Sequence, residues 1–372
     1  RTEHLAPDDL VVLAGAGDYG GGVVEAVRAG RPAGRHLDMR EIARAVDDSV
    51  TRIVLNREFI LRRARGYAPL PVLSQPGAAA GEALAVGAYL KNTIAVKKGN
   101  NVFLSQHIGD LETENSYQAF ERTIDDLKAM YDIQPRAVFC DRHPDYLSTQ
   151  YARKGGSAPV EIQHHVAHVF SCMAENDLEG PVLGVAWDGT GYGLDGTVWG
   201  GEFFVVQDKS VERRASIRPF PLPGGEKAVI EPRRCALGLL YESSCGHMDY
   251  YQDMEFLKNF SEPELKNLIR LLKNQKNSPF TSSVGRLFDA VASFVGIRQA
   301  LEFEGQAAME VEFAAQRARS ENYYQYELME NDEEAGPYSA GWHMDIALID
   351  GIDSDLRNGV AVDEICGRFH NT

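Results

Sequence analysis

The chain has 372 residues, of which 44% are hydrophobic and 25% charged, so it can bury a sizeable core in about two or three lobes. Its formal net charge of −16 argues against a nucleic-acid partner, because surfaces that bind phosphate backbones collect Lys and Arg. No apolar run reaches bilayer length, and the first residues lack the pattern of a signal peptide, which predicts a cytoplasmic protein without a membrane partner. Five scattered cysteines without a close CxxC pair are expected to be free thiols.

The first segment has the pattern of a strand at residues 10–13, a glycine turn at residues 15–20 and a helix at residues 23–27. The turn contains GxGxxG. The residues just before Asp38 are not expected to form a strand, so a plain turn is favoured over a dinucleotide site. Residues 39–65 are rich in charges and helix formers.

The rest of the chain alternates predicted strands and helices, which indicates an α/β fold. Residues 70–80, rich in prolines, glycines and small residues, predict a linker into a first lobe. A hairpin of two apolar strands begins a second lobe, which is mostly helical in pattern after Pro232. The predicted strands lie within residues 83–96, 102–104, 137–140, 182–187 and 197–206, and the predicted helices span 116–130, 162–176, 262–273, 284–295 and 305–320.

The sharpest local pattern is QHHVAH, which holds three of the ten histidines. On a helix, His164 and His168 lie one turn apart on the same face, so both imidazoles can bind one zinc or iron ion. Asp188, at the end of the next apolar strand, is the candidate third ligand. His165 points about 100° away around the helix and is the weaker candidate. The alternative for an isolated HxxxH is a helix whose histidines cap, pack or face solvent.

Asp188 also opens a glycine-rich segment that joins the two predicted strands of the second lobe. Its members Gly189, Thr190, Gly191 and Gly193 form a candidate phosphate loop, because glycines allow backbone N–H groups to approach phosphate oxygens. The alternative is a tight β-hairpin with glycines at positive φ. The upstream histidine pair favours the phosphate loop, because a nucleotide and a metal are commonly bound side by side.

Weaker patterns supply further candidates for nucleotide binding. Asp289 and Glu304 can accept hydrogen bonds from the two hydroxyls of a ribose, although acidic residues in such contexts are more often helix caps or solvent-exposed. Gly224 and Gly225 predict a turn first and a ligand-contacting loop second. Lys91 lies at a predicted strand end that faces a cleft, where it can also merely terminate the strand.

Taken together, the motifs resemble the hydrogenase-maturation carbamoyltransferase (HypF) family, over about residues 40 to 371 in the family's order. The combination is specific, whereas any one motif is not. The motifs are LKNT (90–93), SQHIGD (105–110), HPDYLST (143–149), QHHVAH (163–168), WDGTGYG (187–193), WGGEF (199–203), SSVGRLFDA (282–290) and EGQAA (304–308).

The resemblance implies an actin/sugar-kinase-like fold with two RNase H-like lobes around a nucleotide cleft. It implies His164, His168 and Asp188 as ligands of an iron or zinc ion and as catalytic residues, with Asp289 and Glu304 on the nucleoside. In the family, carbamoyl-adenylate is made from carbamoyl phosphate and ATP by an upstream YrdC-like domain, with Mg²⁺ as a further candidate cofactor. The carbamoyl group is then passed to the C-terminal cysteine of a HypE-like partner protein.

Compared with the family's pattern, the chain is expected to be truncated at both ends. Residues 1–70 are expected to hold an unplaced segment, the tail of the YrdC-like domain and a linker. Residues 71–178 are expected to form the first lobe, and residues 179–372 an incomplete second lobe that lacks a later glycine turn and a further metal-binding Asp.

Two other functions fit parts of this pattern. One is an O-carbamoyltransferase of the antibiotic or nodulation-factor type, which uses a small-molecule hydroxyl as acceptor; residues 47–50 and 62–67 favour the hydrogenase branch over it. The other is a non-catalytic nucleotide-binding protein in which the histidines are structural.

Overall fold

The computed structural model divides into two compact units, Arg1–Ile162 and Gln163–Thr372. The boundary predicted from the sequence, between residues 178 and 179, stays a prediction. The structure describes residues 23–28, 31–37, 46–73, 81–156, 158–208, 210–330, 340–346 and 348–372.

Two antiparallel hairpins begin the described part of the first unit. The strands β1 (Val23–Arg28) and β2 (Arg31–Leu37) form the first hairpin, so the helix predicted at residues 23–27 is wrong. Val23, Val24 and Val27 are β-branched and favour an extended backbone. The predicted strand at 10–13 and the glycine turn at 15–20 lie outside the described residues.

The second hairpin consists of β3 (Val50–Val54) and β4 (Arg57–Arg62), and it lies within a segment that is rich in helix formers. Leu55 and Asn56 form its two-residue turn with φ of 50° and 60°. Both values are in the left-handed region that tight hairpins require, so the turn geometry prevails over the local helix propensity.

A six-stranded sheet forms the centre of the first unit. The elements of this part of the chain are β5 (Pro71–Leu73), β6 (Ala83–Ala85), β7 (Ala95–Lys98), β8 (Asn101–Leu104), α1 (Glu114–Met130), β9 (Ala137–Asp141), α2 (Leu147–Lys154) and β10 (Val160–Ile162). The strands lie in the order β10-β9-β6-β7-β8-β5. The antiparallel meander β6-β7-β8 is followed by the parallel strands β9 and β10, which is the strand order 3-2-1-4-5 of an RNase H-like lobe.

Helix α1 supplies much of the core of the first unit. Thr113 begins it with a capping box, in which its hydroxyl accepts a hydrogen bond from the Ser116 N–H. Phe120, Ile124 and Leu127 follow at helical spacing and are buried against Val96 and the other sheet residues.

The second unit begins with a helix and another antiparallel meander, and helices predominate after it, as predicted. The elements are α3 (His164–Glu175), β11 (Val182–Tyr192), β12 (Val198–Gln207), β13 (Ser210–Ile217), β14 (Phe220–Pro221), α4 (Glu226–Ile230), α5 (Pro232–Ser243), α6 (Glu262–Lys273), β15 (Phe280–Thr281), α7 (Val284–Phe294), α8 (Gln306–Ala315), β16 (Tyr326–Glu330), β17 (Trp342–Ile346), α9 (Leu348–Arg357) and α10 (Val362–Asn371). The meander is β11-β12-β13. The strands β16 and β17 were not predicted.

The large core of the second unit is built mainly by helices α5, α7, α8, α9 and α10. Leu237 on α5 and Val291 on α7 are fully buried within it. A smaller cluster lies between α3 and the meander and includes Val169, Ala186 and Phe204. Among the residues described, no helix is both long enough and apolar enough to cross a membrane.

The five cysteines are free, as predicted, but they differ in exposure. Cys140, Cys235 and Cys366 are buried, whereas Cys172 and Cys245 are exposed. Burial raises the pKa of Cys140 to about 11 and that of Cys366 to about 12, and it also raises the pKa of Cys235. The buried thiols are therefore both shielded and protonated near neutral pH.

We expect Cys172 and Cys245 to react quickly with Ellman's reagent in the native protein and the other three thiols to react only on unfolding. The absorbance of released thionitrobenzoate measures both phases. Cys172→Ser should remove one fast equivalent and leave the slow phase unchanged. Five fast equivalents in the native protein would contradict the described burial.

Candidate metal centre

Helix α3 and strand β11 bring His164, His168 and Asp188 together. Asp188 Oδ2 lies 3.1 Å from His164 Nε2 and 3.6 Å from His168 Nε2, and the two Nε2 atoms are 3.3 Å apart. The two histidines are one helical turn apart, and Asp188 continues the face of β11 that carries Gly184 and Ala186 toward the small α3 cluster. The three side chains predicted from the sequence therefore share one position.

The three donor atoms have the chemistry and spacing of a metal site. Zinc bound by His nitrogens and carboxylate oxygens at about 2.0–2.2 Å in tetrahedral geometry has ligand atoms about 3.3–3.6 Å apart. The observed separations of 3.1–3.6 Å fall close to this range. Among the described residues, His164, His168 and Asp188 form the group of His, Cys, Asp or Glu side chains whose ligand atoms lie close enough together to bind one metal ion.

Asp188 is held as an anion by its neighbours. Burial would raise the pKa of this carboxyl, but hydrogen bonds with His164 and His168 and the Gly189 N–H keep its pKa far below the usual range. The Gly189 N–H donates to Oδ1 at 2.6 Å, which leaves Oδ2 directed at the imidazoles. The carboxylate is thus charged and oriented as a cation requires.

His165 forms the buried wall behind these ligands. Its side chain is 0% exposed, and Nε2 lies 3.8 Å from Asp188 Oδ2. Burial lowers its pKa to about 3, with the neighbouring His164 lowering it further and Asp188 opposing the shift. His165 is therefore a neutral imidazole.

The glycine-rich segment has a different conformation from the predicted one. Strand β11 continues through it to Tyr192, with an irregular register between Trp187 and Gly191, and the chain turns after Gly193. The predicted hairpin is present, but its turn follows Gly193 and is shorter than the glycine-rich link predicted between residues 187 and 197. The irregularity within β11 resembles a β-bulge, which redirects a strand without ending it. The glycine at positive φ in this hairpin is Gly196, with φ of 80°.

Close packing explains several of these glycines. A Cβ at Gly191 would lie 2.3 Å from His165 Cε1, and one at Gly193 would lie 2.4 Å from the Thr197 carbonyl oxygen. At Gly189 the nearest atom is Arg286 Nη2 at 4.0 Å, so space remains on that side. Thr190 is exposed. The phosphate-binding role predicted for these residues stays a prediction.

The start of helix α7 supports the Asp188–Gly189 backbone. Ser283 caps the helix by accepting the Arg286 N–H at 3.0 Å, and its hydroxyl lies 2.9 Å from the Asp188 carbonyl oxygen and 2.5 Å from that of Gly189. A Cβ at Gly285 would lie 2.9 Å from Gly189 Cα, so only glycine allows this approach. The cap therefore ties helix α7 to the metal centre.

A buried carboxylate secures the other side of the hairpin. Glu202 is fully buried and accepts hydrogen bonds from Arg213 Nε at 2.6 Å and from the N–H groups of Gly200 and Gly201, each at 3.2 Å. It also accepts the hydroxyl of Ser282. These contacts satisfy the charge and join β12 to the segment that precedes α7.

Asp289 occupies a different environment from the one predicted for a ribose ligand. It is 1% exposed, and its carboxylate lies 3.0 Å from Arg286 Nη2. Burial raises its pKa to about 6, against the opposing charge of Arg286. Arg286 also donates to the Val229 carbonyl at 3.2 Å, so this pair connects helices α7 and α4. The nucleoside role of Asp289 stays a prediction.

The remaining predicted residues lie in loops. Gly224 and Gly225 have φ of 91° and 57° at the start of α4, which confirms that this sequence forms a turn. Glu304 is exposed just before α8, in the second unit. Lys91 is exposed in the first unit, where its backbone N–H donates a hydrogen bond to Asp110 Oδ1 at 2.8 Å. The ligand-binding roles of these residues stay predictions.

Three residues of the site were missed when the chain was read as a sequence. Gln163, Ser283 and Arg286 hold His165, the Asp188 backbone and Asp289, respectively. The signal for Ser283 was present, because Ser followed by a glycine and apolar residues predicts a helix start. The other two contacts are local in sequence, since Gln163 lies two residues before His165 and Arg286 three residues before Asp289, but the residue types alone do not indicate that these side chains are buried.

Comparison with known proteins defines the class of protein first. Residues 184–372 match the family model "Carbamoyltransferase, Kae1-like Domain, second subdomain", and residues 78–175 match "HypF Kae1-like domain". The chain thus has a carbamoyltransferase-type Kae1-like domain, and it belongs to the HypF family.

Curated relatives and solved structures agree with this assignment. A carbamoyltransferase HypF from Synechocystis is 38% identical over 90% of this chain and 44% of the relative, and one from Rhizobium leguminosarum is 40% identical over 73% and 35%. A crystal structure of full-length HypF in the phosphate- and nucleotide-bound form has a TM-score of 0.81 and 40% identity, covering 91% of this chain and 51% of that one. The chain spans less than half the length of these curated relatives.

We expect Ser283→Ala to cost about 1–2 kcal/mol of stability, because it removes a helix cap. It should also weaken zinc binding, since the Asp188–Gly189 backbone loses its support. Urea unfolding measures the first effect and competition with a chromogenic chelator the second. Ser261→Ala is the matched control, because Ser261 caps helix α6 by accepting the Glu264 N–H at 3.3 Å. Equal zinc affinity in both variants would contradict the support role of Ser283.

Proposed function

We propose that this chain carries the carbamoyl-transfer site of a HypF-type carbamoyltransferase that acts in hydrogenase maturation. The substrate is carbamoyl-adenylate, formed from carbamoyl phosphate and ATP, and the acceptor is the C-terminal cysteine thiol of a HypE-like partner. The observation that supports this most strongly is the convergence of His164, His168 and Asp188 within 3.1–3.6 Å in a chain of the HypF family.

Transfer requires one bond to form and one to break. The sulfur of the acceptor thiolate forms a bond to the carbamoyl carbon, and the bond from that carbon to the phosphate oxygen breaks, so AMP leaves with the electron pair. An iron or zinc ion held by His164, His168 and Asp188 would supply Lewis acidity to the reacting group.

The chain's own residues would organise the substrate around that centre. Asp188 is anionic and would orient the site. The irregular backbone after it and the start of α7 would direct N–H groups toward a bound phosphate. Arg286 Nη2 lies beside Gly189 and would add positive charge there. The nucleotide-bound HypF structure supports this choice of ligand by family relationship.

His164→Ala combined with His168→Ala should abolish stoichiometric binding of iron or zinc. We expect carbamoyl transfer to fall by more than about 100-fold, which corresponds to about 2.7 kcal/mol. Plasma mass spectrometry measures the metal. Mass spectrometry of a cysteine-terminated peptide, incubated with carbamoyl-adenylate and the metal-loaded chain, measures the transfer.

The control is His247→Ala, which removes an exposed histidine outside the metal centre and should leave both readouts unchanged. Unchanged metal content in the double variant would refute the assigned ligands. Carbamoylation of an amino-sugar hydroxyl without any modification of the thiol would instead establish the O-carbamoyltransferase alternative.

A further inference from the structure

His165 is a buried imidazole with no part in the three-ligand site. Its side chain is 0% exposed, and its Nε2 atom has no hydrogen-bond partner among the described residues. A buried nitrogen without a hydrogen-bond partner lowers the stability of the folded protein. We therefore expect Nε2 to gain a partner when the metal is bound. The Asp188 carboxylate lies 3.8 Å from Nε2.

Gln163 determines which nitrogen of His165 carries the proton. The Gln163 oxygen Oε1 accepts the Val166 N–H at 3.0 Å, and its nitrogen Nε2 donates to the Tyr192 carbonyl at 3.1 Å. Both contacts require the amide to have this orientation, because a backbone N–H only donates and a carbonyl only accepts.

The same amide nitrogen lies 3.1 Å from His165 Nδ1. Because the amide donates, Nδ1 must accept, and the proton of the neutral ring resides on Nε2. The Nε2 atom that carries the proton lies 3.8 Å from Asp188 Oδ2. His165 therefore lacks a free lone pair for a cation, and it differs in this from His164 and His168.

We propose that His165 is a positioning residue, whose Nε2–H holds the Asp188 carboxylate in the orientation that binds the cation and whose tautomer is set by Gln163. This inference rests on the proposed function, because it concerns the same metal centre. The distance of 3.8 Å exceeds a normal hydrogen bond by less than about 1 Å, so a small carboxylate rotation completes the contact. Orienting partners of this kind commonly control metal affinity.

Gly191 supports the same role from the other side of the ring. A Cβ at this position would lie 2.3 Å from His165 Cε1 and 3.0 Å from Nε2, so the imidazole fills the space that glycine leaves. A side chain at residue 191 would therefore displace the ring from its position beside Asp188. Gln163, itself 6% exposed, is fixed as the cap of helix α3.

Long-range proton–nitrogen NMR spectra of the metal-free chain test the tautomer directly. We expect the His165 signals of a neutral ring protonated at Nε2, and the same form after zinc is added. A ring protonated at Nδ1, or a charged ring at neutral pH, would overturn the inference. This readout is independent of catalysis, so it distinguishes failure of the inference from failure of the proposed function.

Paired variants test the positioning role. His165→Gln keeps an N–H donor near the Nε2 position, whereas His165→Met fills the space without one. We expect zinc affinity to fall by about 10–100-fold in His165→Met and to stay within about threefold of wild type in His165→Gln. Gln163→Glu, which cannot donate to Nδ1, should weaken zinc binding in the same direction as His165→Met.

Val206→Ala is the control for general destabilisation, because Val206 is buried in the same small cluster, pairs with Val182 at the end of β11 away from Asp188, and has no polar side-chain atom in the site. It should lower the unfolding midpoint and leave zinc affinity unchanged. Equal loss of affinity in His165→Gln and His165→Met would show that packing, and not the N–H donor, is what matters. Wild-type affinity in His165→Met would equally refute the positioning role.

Discussion

The close contact between helix α3 and strand β11 is the constraint on which the metal centre depends. A Cβ at Gly184 would lie 2.5 Å from Val169 Cγ1, so the helix rests on the strand at a distance that only glycine permits. Two residues further along the same face is Ala186, and two further again is Asp188. The helix presents His164 and His168 at the level of that carboxylate. The separation of the ligands is therefore set by apolar packing and not by the ligands themselves.

The elements of regular pattern could be predicted from the sequence. Helix α1 was expected at residues 116–130, and it spans Glu114–Met130 because its apolar residues recur at helical spacing. The turn formed by Leu55 and Asn56 was missed, because Leu rarely adopts a positive φ and Asn56 is not followed by a glycine. The short strands β16 and β17 were also missed, and every residue of β16 is exposed, so it carries no apolar alternation.

The proximity of the three candidate ligands could be predicted from local patterns in the sequence. The helical period alone predicts that His164 and His168 lie on the same face of α3. The alternation of side chains along a strand predicts the face of β11 on which Asp188 lies. The pairing of Asp289 with Arg286 is an i,i+3 contact on one helix, but the burial of Asp289 could not be predicted, because it depends on the elements packed around α7 and acidic residues are rarely fully buried. The course of β11 through its glycines was missed for a similar reason: the atoms that exclude a Cβ at Gly191 belong to His165 on another element.

The dual contacts of Gln163 have a consequence for motion. One amide both begins helix α3 and holds the His165 ring, so fraying of the first helical turn and disorder of the metal centre are a single event. An ion that binds only the ordered form stabilises it by about 2.7 kcal/mol when its free concentration is 100 times the dissociation constant. The free cation concentration would thus determine how often this helix end opens to hydrogen exchange. The exchange rate of the backbone amides in the first turn of α3 would therefore report the fraction of the protein that has the metal bound.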